Sequence, residues 1–298
     1  MVGAHAVNGI HLGSLSIASA QETLCNTGLS NRLSNQGAWL HSSPTPTHHG
    51  IAITLEGVNV SPDSINLKRI LAFNLAGVLL LASWAIWPLS TLWSALDAQL
   101  FWLFNGWLTP ENMRWNQILA LINTRYFDVV SLGVLGLLFT MAIRADRRTN
   151  RLFHWVAIGV VMLVVAGLVS VAINEAITYG HPSPTLYFEQ ATRLTDLVTI
   201  PTKDEAGNSF PGDHGLMVMI FAAFMMRFAK RRLALWSIAS VVLLSAPRIL
   251  VGAHWFSDVY VGALSIALLV LPWILCTSVV SGMTQLAEKA MRLFFRGN

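Results

Sequence analysis

The sequence predicts an all-α integral membrane protein with six transmembrane helices. Three observations indicate this fold. Of the 298 residues, 54% are hydrophobic and only 11% are charged, whereas a soluble globular domain carries about 25% charged residues. Apolar runs of membrane-spanning length recur along the chain, and clusters of basic residues fall between alternate runs. A bilayer therefore suits this composition better than water does.

The first 66 residues differ from the rest of the chain. They are rich in Ser, Asn, Gly, His and Thr and show little periodicity, so they are predicted to form a disordered extension. Their first Lys or Arg is Arg32, so the basic start of a cleaved signal peptide is missing. The two cysteines, Cys25 and Cys276, do not suggest a disulfide framework.

A bilayer-spanning helix needs about 17–25 mostly apolar residues. Five runs meet this length, at residues 70–89, 126–143, 152–174, 233–251 and 256–279. A sixth run, 215–229, is shorter and follows the polar stretch SFPGDH, so its outer end is expected to dip into a polar site. These six helices are predicted to form a membrane domain over residues 67–285, followed by a basic cytoplasmic tail at 286–298.

Basic residues orient these helices, because cytoplasmic loops carry an excess of Lys and Arg. With six spans, four basic clusters fall on one side, at residues 68–69, 144–151, 227–232 and 289–296. That side, and both termini, are therefore expected to be cytoplasmic. Because 13 of the 19 Lys and Arg residues lie in these clusters, the net charge of +4 is explained by membrane orientation and no nucleic-acid partner is expected.

The first outer loop contains LDAQLFWLFNGWL, residues 96–108, with apolar and aromatic residues at three- and four-residue spacing. This spacing predicts a helix in the membrane interface, with Trp102 and Trp107 as anchors. A simple packing helix fits the pattern equally well.

Five basic residues remain on the outer face, against the orientation rule, and are candidates for chemistry: Arg114, Arg125, Arg193, Lys203 and Arg248. The stretch PRILVGAHWFSD places Arg248, His254 and Asp258 together. On a helical turn His254 and Asp258 would face each other, and a carboxylate beside an imidazole fixes its tautomer for nucleophilic attack. The guanidinium of Arg248 suits phosphate oxygens.

The stretch PTKDEAGNSFPGDH lies on the same face. His214 stands at a predicted helix start, where free backbone N–H groups favour phosphate, and its pKa range suits proton transfer. Gly212 permits close backbone approach.

These residues resemble the type 2 phosphatidic acid phosphatase superfamily. Arg248, His254 and Asp258 match its R-x5-H-x3-D motif, and FPGDH resembles its P-S-G-H motif. The segments SPTL, PTKD, SFPGDHG, GAHWFSD and LPW are similar to a bacterial branch that forms lipid A 1-diphosphate. The resemblance covers roughly residues 66–280.

The resemblance implies a membrane-embedded site at the periplasmic face of the bacterial inner membrane, without metal or cofactor. Undecaprenyl diphosphate would be the donor lipid and the 1-phosphate of lipid A the acceptor. His254 would form a phosphohistidine, Asp258 would orient it and His214 would exchange protons. The predicted phosphate-binding residues are Arg248, Lys203, Arg193, Ser209, Gly212 and His181.

The first motif of the superfamily, K-x6-R-P, departs here, because Asn174 and His181 stand at its two cationic positions. Arg193 and Lys203 are expected to replace those cations. Asp213 stands where glycine is usual, so it is expected either to pair with Arg248, Lys203 or Arg193 or to deprotonate a phosphate acceptor.

Three alternatives remain at this point. The protein could be a phosphatase that uses water as acceptor, on undecaprenyl diphosphate or a phospholipid phosphate. Zinc could bind among the residues His181, Asp213, His214, His254 and Asp258, although the spacing lacks a zinc signature. A transporter is the third, disfavoured because the ionisable residues gather at one face. Arg125 and Asp128 are interpreted as a structural pair outside the site.

Overall fold

The structure is a computed structural model that describes residues 66–177 and 180–296. The predicted extension therefore lies outside the described residues, apart from Asn66. Every regular element within the described ranges is helical, which confirms the predicted class. The main helices are α1 (Leu67–Ala85), α2 (Leu89–Asn105), α3 (Met113–Leu121), α4 (Arg125–Ala145), α5 (Arg151–Ala176), α6 (Asp213–Phe228), α7 (Arg231–Leu250), α8 (Leu264–Leu275) and α9 (Ser278–Arg296).

Four shorter elements connect these helices on the side that carries the candidate site. They are a 3₁₀ turn at Pro110–Asn112, the single turns Pro184–Tyr187 and Leu194–Leu197, and a π-helical stretch at Asp258–Ala263. The π-helical stretch leads directly into α8, so Asp258–Leu275 forms one continuous apolar rod.

Five helices are long and apolar enough to cross a membrane: α1, α4, α5, α7 and the rod Asp258–Leu275. The outer surfaces of α1, α4 and α5 expose many Leu and Val side chains, which a lipid environment would accommodate. These findings agree with a multi-pass membrane protein. The predicted sixth span corresponds to α6, whose 16 residues rise about 24 Å, less than the roughly 30 Å of a hydrocarbon core.

The short helix α6 is a central element of the bundle. Its buried residues include Leu216, Ile220 and Phe224, each about 1% exposed, and it packs against α5, α7 and α8. A helix that is apolar on most of its surface is stable only where other helices surround it. The burial of α6 therefore fixes the position of its first turn, which contains His214.

Helix α2 differs from the predicted interfacial helix. It begins at Leu89, before the expected start, and ends at Asn105. Asp97, Phe101 and Asn105 lie at four-residue intervals and are all buried. Phe101 stacks on Phe188 with ring centroids 5.4 Å apart. One face of α2 thus packs against the outer loops, in accordance with the packing alternative.

The predicted last span, residues 256–279, corresponds to the rod Asp258–Leu275 and ends four residues earlier than expected. Helix α8 ends at Leu275, and a new helix, α9, begins at Ser278 and continues past the expected tail boundary at residue 285. Residues 286–296 are therefore helical in the described structure. His154 on α5 contacts the Glu288 carboxylate at 2.7 Å, so α9 lies against the start of α5.

Gly252 provides a test of the packing beneath the outer loops. Its φ angle is +80°, and an added Cβ would lie 2.7 Å from Phe101 Cε2 and 2.8 Å from Thr185 Cγ2. We expect Gly252→Ala to destabilise the protein by about 1–3 kcal/mol, measured by thermal unfolding in detergent micelles. Gly136→Ala is the control, since an added Cβ there meets nothing within 4 Å. Equal unfolding temperatures for the two variants would contradict this account.

Candidate functional site

The two polar stretches predicted to carry the chemistry meet at the first turn of α6. The Gly212 amide donates a hydrogen bond to the Asp258 carbonyl oxygen at 3.1 Å. An added Cβ at Gly212 or Gly215 would approach methyl groups of Val259 to 2.8 or 2.7 Å. Both glycines therefore permit the backbones to come together. This use of its amide replaces the predicted phosphate contact of Gly212.

His254 is held in a defined tautomer. Its Nδ1 lies 2.8 Å from the Ser209 carbonyl oxygen, which can only accept a hydrogen bond. Nδ1 must therefore carry the hydrogen in the neutral ring, and Nε2 keeps its lone pair. The amide of His254 donates to the Arg248 carbonyl oxygen at 3.1 Å. A backbone hydrogen bond within the motif thus joins His254 to Arg248, and Nε2 of His254 has a lone pair available for nucleophilic attack.

Asp258 supports this histidine differently from the prediction. Its carboxylate is fully buried, and Oδ2 lies 3.6 Å from His254 Nδ1 while accepting a hydrogen bond from the Trp255 amide at 2.8 Å. The Ser209 carbonyl, and not Asp258, is the hydrogen-bond acceptor for Nδ1. Asp258 fixes the turn and supplies a negative charge that would stabilise a positively charged His254.

His181 and Ser209 complete the frame around Asp258. His181 Nδ1 lies 3.3 Å from Asp258 Oδ1 and 3.3 Å from Ser209 Oγ. The Ser209 amide and hydroxyl both donate to the His181 carbonyl oxygen, at 2.7 and 2.9 Å. Both residues were predicted to bind phosphate. In the structure, Nδ1 and the carbonyl oxygen of His181 and the polar groups of Ser209 hold Asp258 and His254 in place, while the phosphate-binding role of these two residues stays a prediction.

Asp128, at the outer end of α4, contacts three basic side chains. Its Oδ2 lies 3.0 Å from Lys203 Nζ, and its Oδ1 lies 3.2 Å from His214 Nε2 and 3.3 Å from Arg248 Nη2. Arg248 also donates to the Lys203 carbonyl oxygen at 3.3 Å. We call Lys203, His214 and Arg248, whose side chains all contact Asp128, the cation cluster. The structure thereby brings together three of the predicted site residues.

The sequence interpretation left Asp128 outside the site as a partner of Arg125, and this was wrong. Asp128 forms its ion pairs with the cation cluster, and no described ion pair joins it to Arg125. One signal could have identified it: Asp128 is the single acidic residue of α4. Ionisable residues in such helices are costly and usually functional.

The cation cluster can hold an anion. Arg248 is largely buried, with a side chain 8% exposed, whereas those of Lys203 and His214 are 40% and 47% exposed. Charged N–H donors that already converge on carboxylate oxygens offer a geometry that also suits phosphate oxygens. The backbone carbonyl oxygen of Arg248 also accepts a hydrogen bond from the His254 amide at 3.1 Å. An anion at this cluster would therefore lie in the neighbourhood of the nucleophile.

Arg193 lies elsewhere in the outer loop. Its guanidinium pairs with Glu205 and, at 3.5 Å, with Asp204. Asp204 also accepts hydrogen bonds from the amide and hydroxyl of Thr195, at 2.8 and 2.9 Å. The positive charge of Arg193 is thus compensated by two carboxylates within the loop, so the expectation that Arg193 replaces a phosphate-binding cation is not supported.

Asp213 is the first residue of α6 and is exposed. The predicted pairing with Arg248, Lys203 or Arg193 is not found among the ion pairs of the described residues, because those cations contact Asp128, Asp204 and Glu205. Its side chain remains next to His214 in the sequence, at the open first turn of the helix.

Comparison with known proteins agrees with this geometry. The family model of the PAP2 superfamily matches residues 155–281, which include His181, Arg248, His254 and Asp258. The lipid A 1-diphosphate synthase of Escherichia coli strain K12 is 35% identical over 226 residues, covering 76% of this chain and 94% of that protein. No solved structure is significantly similar to the chain.

Asp128 competes with any anion for the cation cluster, which gives a testable consequence. Replacing it by Asn removes the compensating charge, so Asp128→Asn should tighten binding of inorganic phosphate at least about threefold. Binding is measured as the phosphate-dependent rise in unfolding temperature. Asp196→Asn is the control, because Asp196 is exposed and takes part in none of the ion pairs found in the described residues. Unchanged or weaker phosphate binding in Asp128→Asn would contradict the assignment.

Proposed function

Because this chain belongs to the PAP2 superfamily, we propose that it transfers a phosphate group from undecaprenyl diphosphate to the 1-phosphate of lipid A. The products would be undecaprenyl phosphate and lipid A 1-diphosphate. Membership in the family makes the protein a phosphotransferase or phosphatase. The specific reaction is supported by the relative that is named for lipid A 1-diphosphate synthesis. The observation that carries the mechanism is the tautomer of His254, with Nδ1 bound to the Ser209 carbonyl oxygen.

In the first step, His254 Nε2 attacks the terminal phosphorus of undecaprenyl diphosphate. The bond from this phosphorus to the bridging oxygen breaks, and the bridging oxygen leaves as part of undecaprenyl phosphate. Phosphoryl transfer depends mainly on positioning and on stabilising the charge of the transferred group. Arg248 and Lys203 would bind its oxygens, displacing Asp128 from part of their donor groups. His214 would give a proton to the leaving oxygen.

In the second step, an oxygen of the lipid A 1-phosphate attacks the phosphohistidine. The nitrogen–phosphorus bond breaks, and its electron pair returns to Nε2. His214 would accept any proton that the acceptor oxygen carries. Asp213 keeps its proposed role as an assisting base, consistent with an exposed carboxylate next to His214. Asp258 would lower the free energy of the intermediate by opposing the positive charge on His254.

The charge distribution supports a periplasmic site in the inner membrane. The cation cluster lies at the outer end of α4, and Arg144 lies at its other end. Helix α6 likewise carries His214 at its start and Arg227 in its last turn. We propose that α6 serves as the sixth crossing, because this places all basic clusters, and both termini, on the cytoplasmic side.

Hydrolysis is the second candidate function. Lys203 and His214 have side chains that are nearly half exposed, so water can reach the cation cluster. A water molecule attacking the phosphohistidine would release inorganic phosphate through the same residues, which would make the protein a phosphatase for undecaprenyl diphosphate or for a phospholipid phosphate.

A labelling experiment distinguishes the two functions. Purified protein is incubated with undecaprenyl diphosphate carrying ³²P in its terminal phosphate, with and without lipid A. Label on lipid A is the expected result, and free phosphate as the sole product regardless of lipid A would contradict the transferase proposal. His254→Ala should lower either activity at least about a thousandfold. His154→Ala is the matched control, since His154 pairs with Glu288 away from the site; full activity in His254→Ala would refute the mechanism.

The two outer-loop cations provide a paired test. Lys203 belongs to the cation cluster, so Lys203→Ala should lower kcat/KM for the donor about 10- to 100-fold. Arg193 compensates Asp204 and Glu205, so Arg193→Ala should lower the unfolding temperature while retaining kcat/KM within about twofold. The opposite ranking of kcat/KM would show that Arg193, and not Lys203, is the phosphate-binding residue.

A further inference from the structure

A second feature lies beside the turn His254–Asp258, apart from the cation cluster. It is a cavity of about 690 Å³ between the outer end of α1, the middle of α2, the segment at residues 181–188 and Trp255. Pockets for small organic groups typically measure about 300–1,000 Å³. The side chains that give it chemical character are Trp84, Asp97, His181, Tyr187, Phe188 and Trp255.

This cavity shares structural elements with the site. Trp255 directly follows His254, and its indole N–H donates to the Pro182 carbonyl oxygen at 2.9 Å. Asp97 Oδ1 accepts a hydrogen bond from the Ser257 amide at 2.9 Å, and Oδ2 accepts from the Ser257 hydroxyl. His181 contacts the Asp258 carboxylate. A ligand in the cavity would therefore lie against the same turn that positions the nucleophile.

The polar groups of the cavity are of a specific kind. None of its described lining residues is a Lys or Arg, so the cavity lacks the donors that bind phosphate. Asp97 is 6% exposed, and this burial raises its pKa to about 6. Further hydrogen-bond donors would stabilise a carboxyl group in such surroundings. Hydroxyl or amide groups of a ligand would supply them.

The remaining walls are aromatic. Tyr187 and Phe188 contact Trp255 with ring centroids 5.7 and 5.8 Å apart, and Trp84 stacks on Phe210 at 4.7 Å. Broad aromatic surfaces with a few polar groups fit a molecule that has apolar C–H faces and a polar rim, which describes a pyranose ring. A polyprenyl chain has no donors for Asp97, and the cavity repels a bare phosphate.

We propose that this cavity binds the sugar ring of a glycolipid acceptor and directs the phosphate on that sugar towards His254. The proposal rests on the proposed transfer reaction, and it assigns the two substrates to different binding sites. The donor diphosphate binds at the cation cluster, where Arg248 and Lys203 lie. The acceptor sugar binds on the side of Asp97 and the aromatic rings. His254 is connected to the cation cluster through the Arg248 carbonyl oxygen and to the cavity through Ser209 and His181, so both substrates would reach the same Nε2 atom.

A pair of double variants on α2 tests this assignment. Ser94 and Ala98 line the cavity, so Ser94→Phe with Ala98→Phe would fill it. Ala95→Phe with Gln99→Phe is the matched control, because these residues are exposed and do not line it. Two quantities are measured for each protein: the amount of phosphohistidine formed from the donor alone, and KM for lipid A. In the cavity variant, we expect the fold increase in KM for lipid A to be at least about ten times the fold decrease in phosphohistidine formation. In the control, we expect neither quantity to change by more than about twofold.

Two outcomes would overturn the proposal. An unchanged KM for lipid A in the cavity variant would show that the acceptor binds elsewhere. Loss of phosphohistidine formation in the cavity variant alone would show that the cavity holds the donor.

A protein that forms phosphohistidine but never transfers it to lipid A would refute the proposed function, and a binding experiment then decides about the cavity. Glucosamine 1-phosphate should quench the fluorescence of Trp84 and Trp255 in the wild type and the control but not in the cavity variant. No quenching in the wild type would overturn the sugar site as well.

Discussion

The close contact between the first turn of α6 and the start of the π-helical stretch is the constraint on which the site depends. It requires glycine at positions 212 and 215, because any larger residue would collide with Val259. The hydrogen bond from the Gly212 amide to the Asp258 carbonyl oxygen closes the junction. His214 and His254 come from opposite sides of this junction. Without the contact, the two polar stretches would be separate helix ends with no common chemistry.

The junction also explains how a buried carboxylate can be retained near a membrane. Asp258 has no solvent exposure, and a charge of this kind is stable only when it is paired and hydrogen-bonded. Two imidazoles, on His181 and His254, lie within 3.3 and 3.6 Å of it, and the Trp255 amide donates to it. Ser209 fixes both histidines through its own backbone and hydroxyl groups. The turn His254–Asp258 is therefore held by its own Trp255–Asp258 hydrogen bond and by the sequence-distant residues His181 and Ser209.

The sequence predicts those parts of the site that are encoded by short spacing. Arg248, His254 and Asp258 lie within one turn-forming segment, so their proximity follows from their order in the chain. Asp128 could not be found in this way, because its partners come from α6, α7 and the outer loop, and only the packing of the bundle brings them together. The different partners of Arg193 and Lys203 could not be predicted from the sequence either, since both are outer-face cations. Only the fold of the loop shows that Arg193 pairs with Glu205 and Lys203 with Asp128.

The same reasoning applies to the fold. Hydrophobicity predicts that α6 is apolar, but it does not reveal whether lipid or other helices surround the helix. The burial of α6 shows that other helices surround it. The helix is short because it begins at the site and not at the membrane surface.

Charge compensation joins these observations. Arg248 is nearly buried, and an unpaired guanidinium at such a position would be strongly unfavourable. The Asp128 carboxylate compensates this charge and also pairs with Lys203 and His214. In the proposed reaction a phosphate group would bring its own negative charge, so its binding to the same donors would exchange one anion for another and leave the buried arginine paired. Because Asp128 stands on α4, away from the turn that holds His254, this exchange can occur without disturbing the nucleophile. The arrangement thus keeps the buried Arg248 paired while His254 remains fixed by the Ser209 carbonyl oxygen.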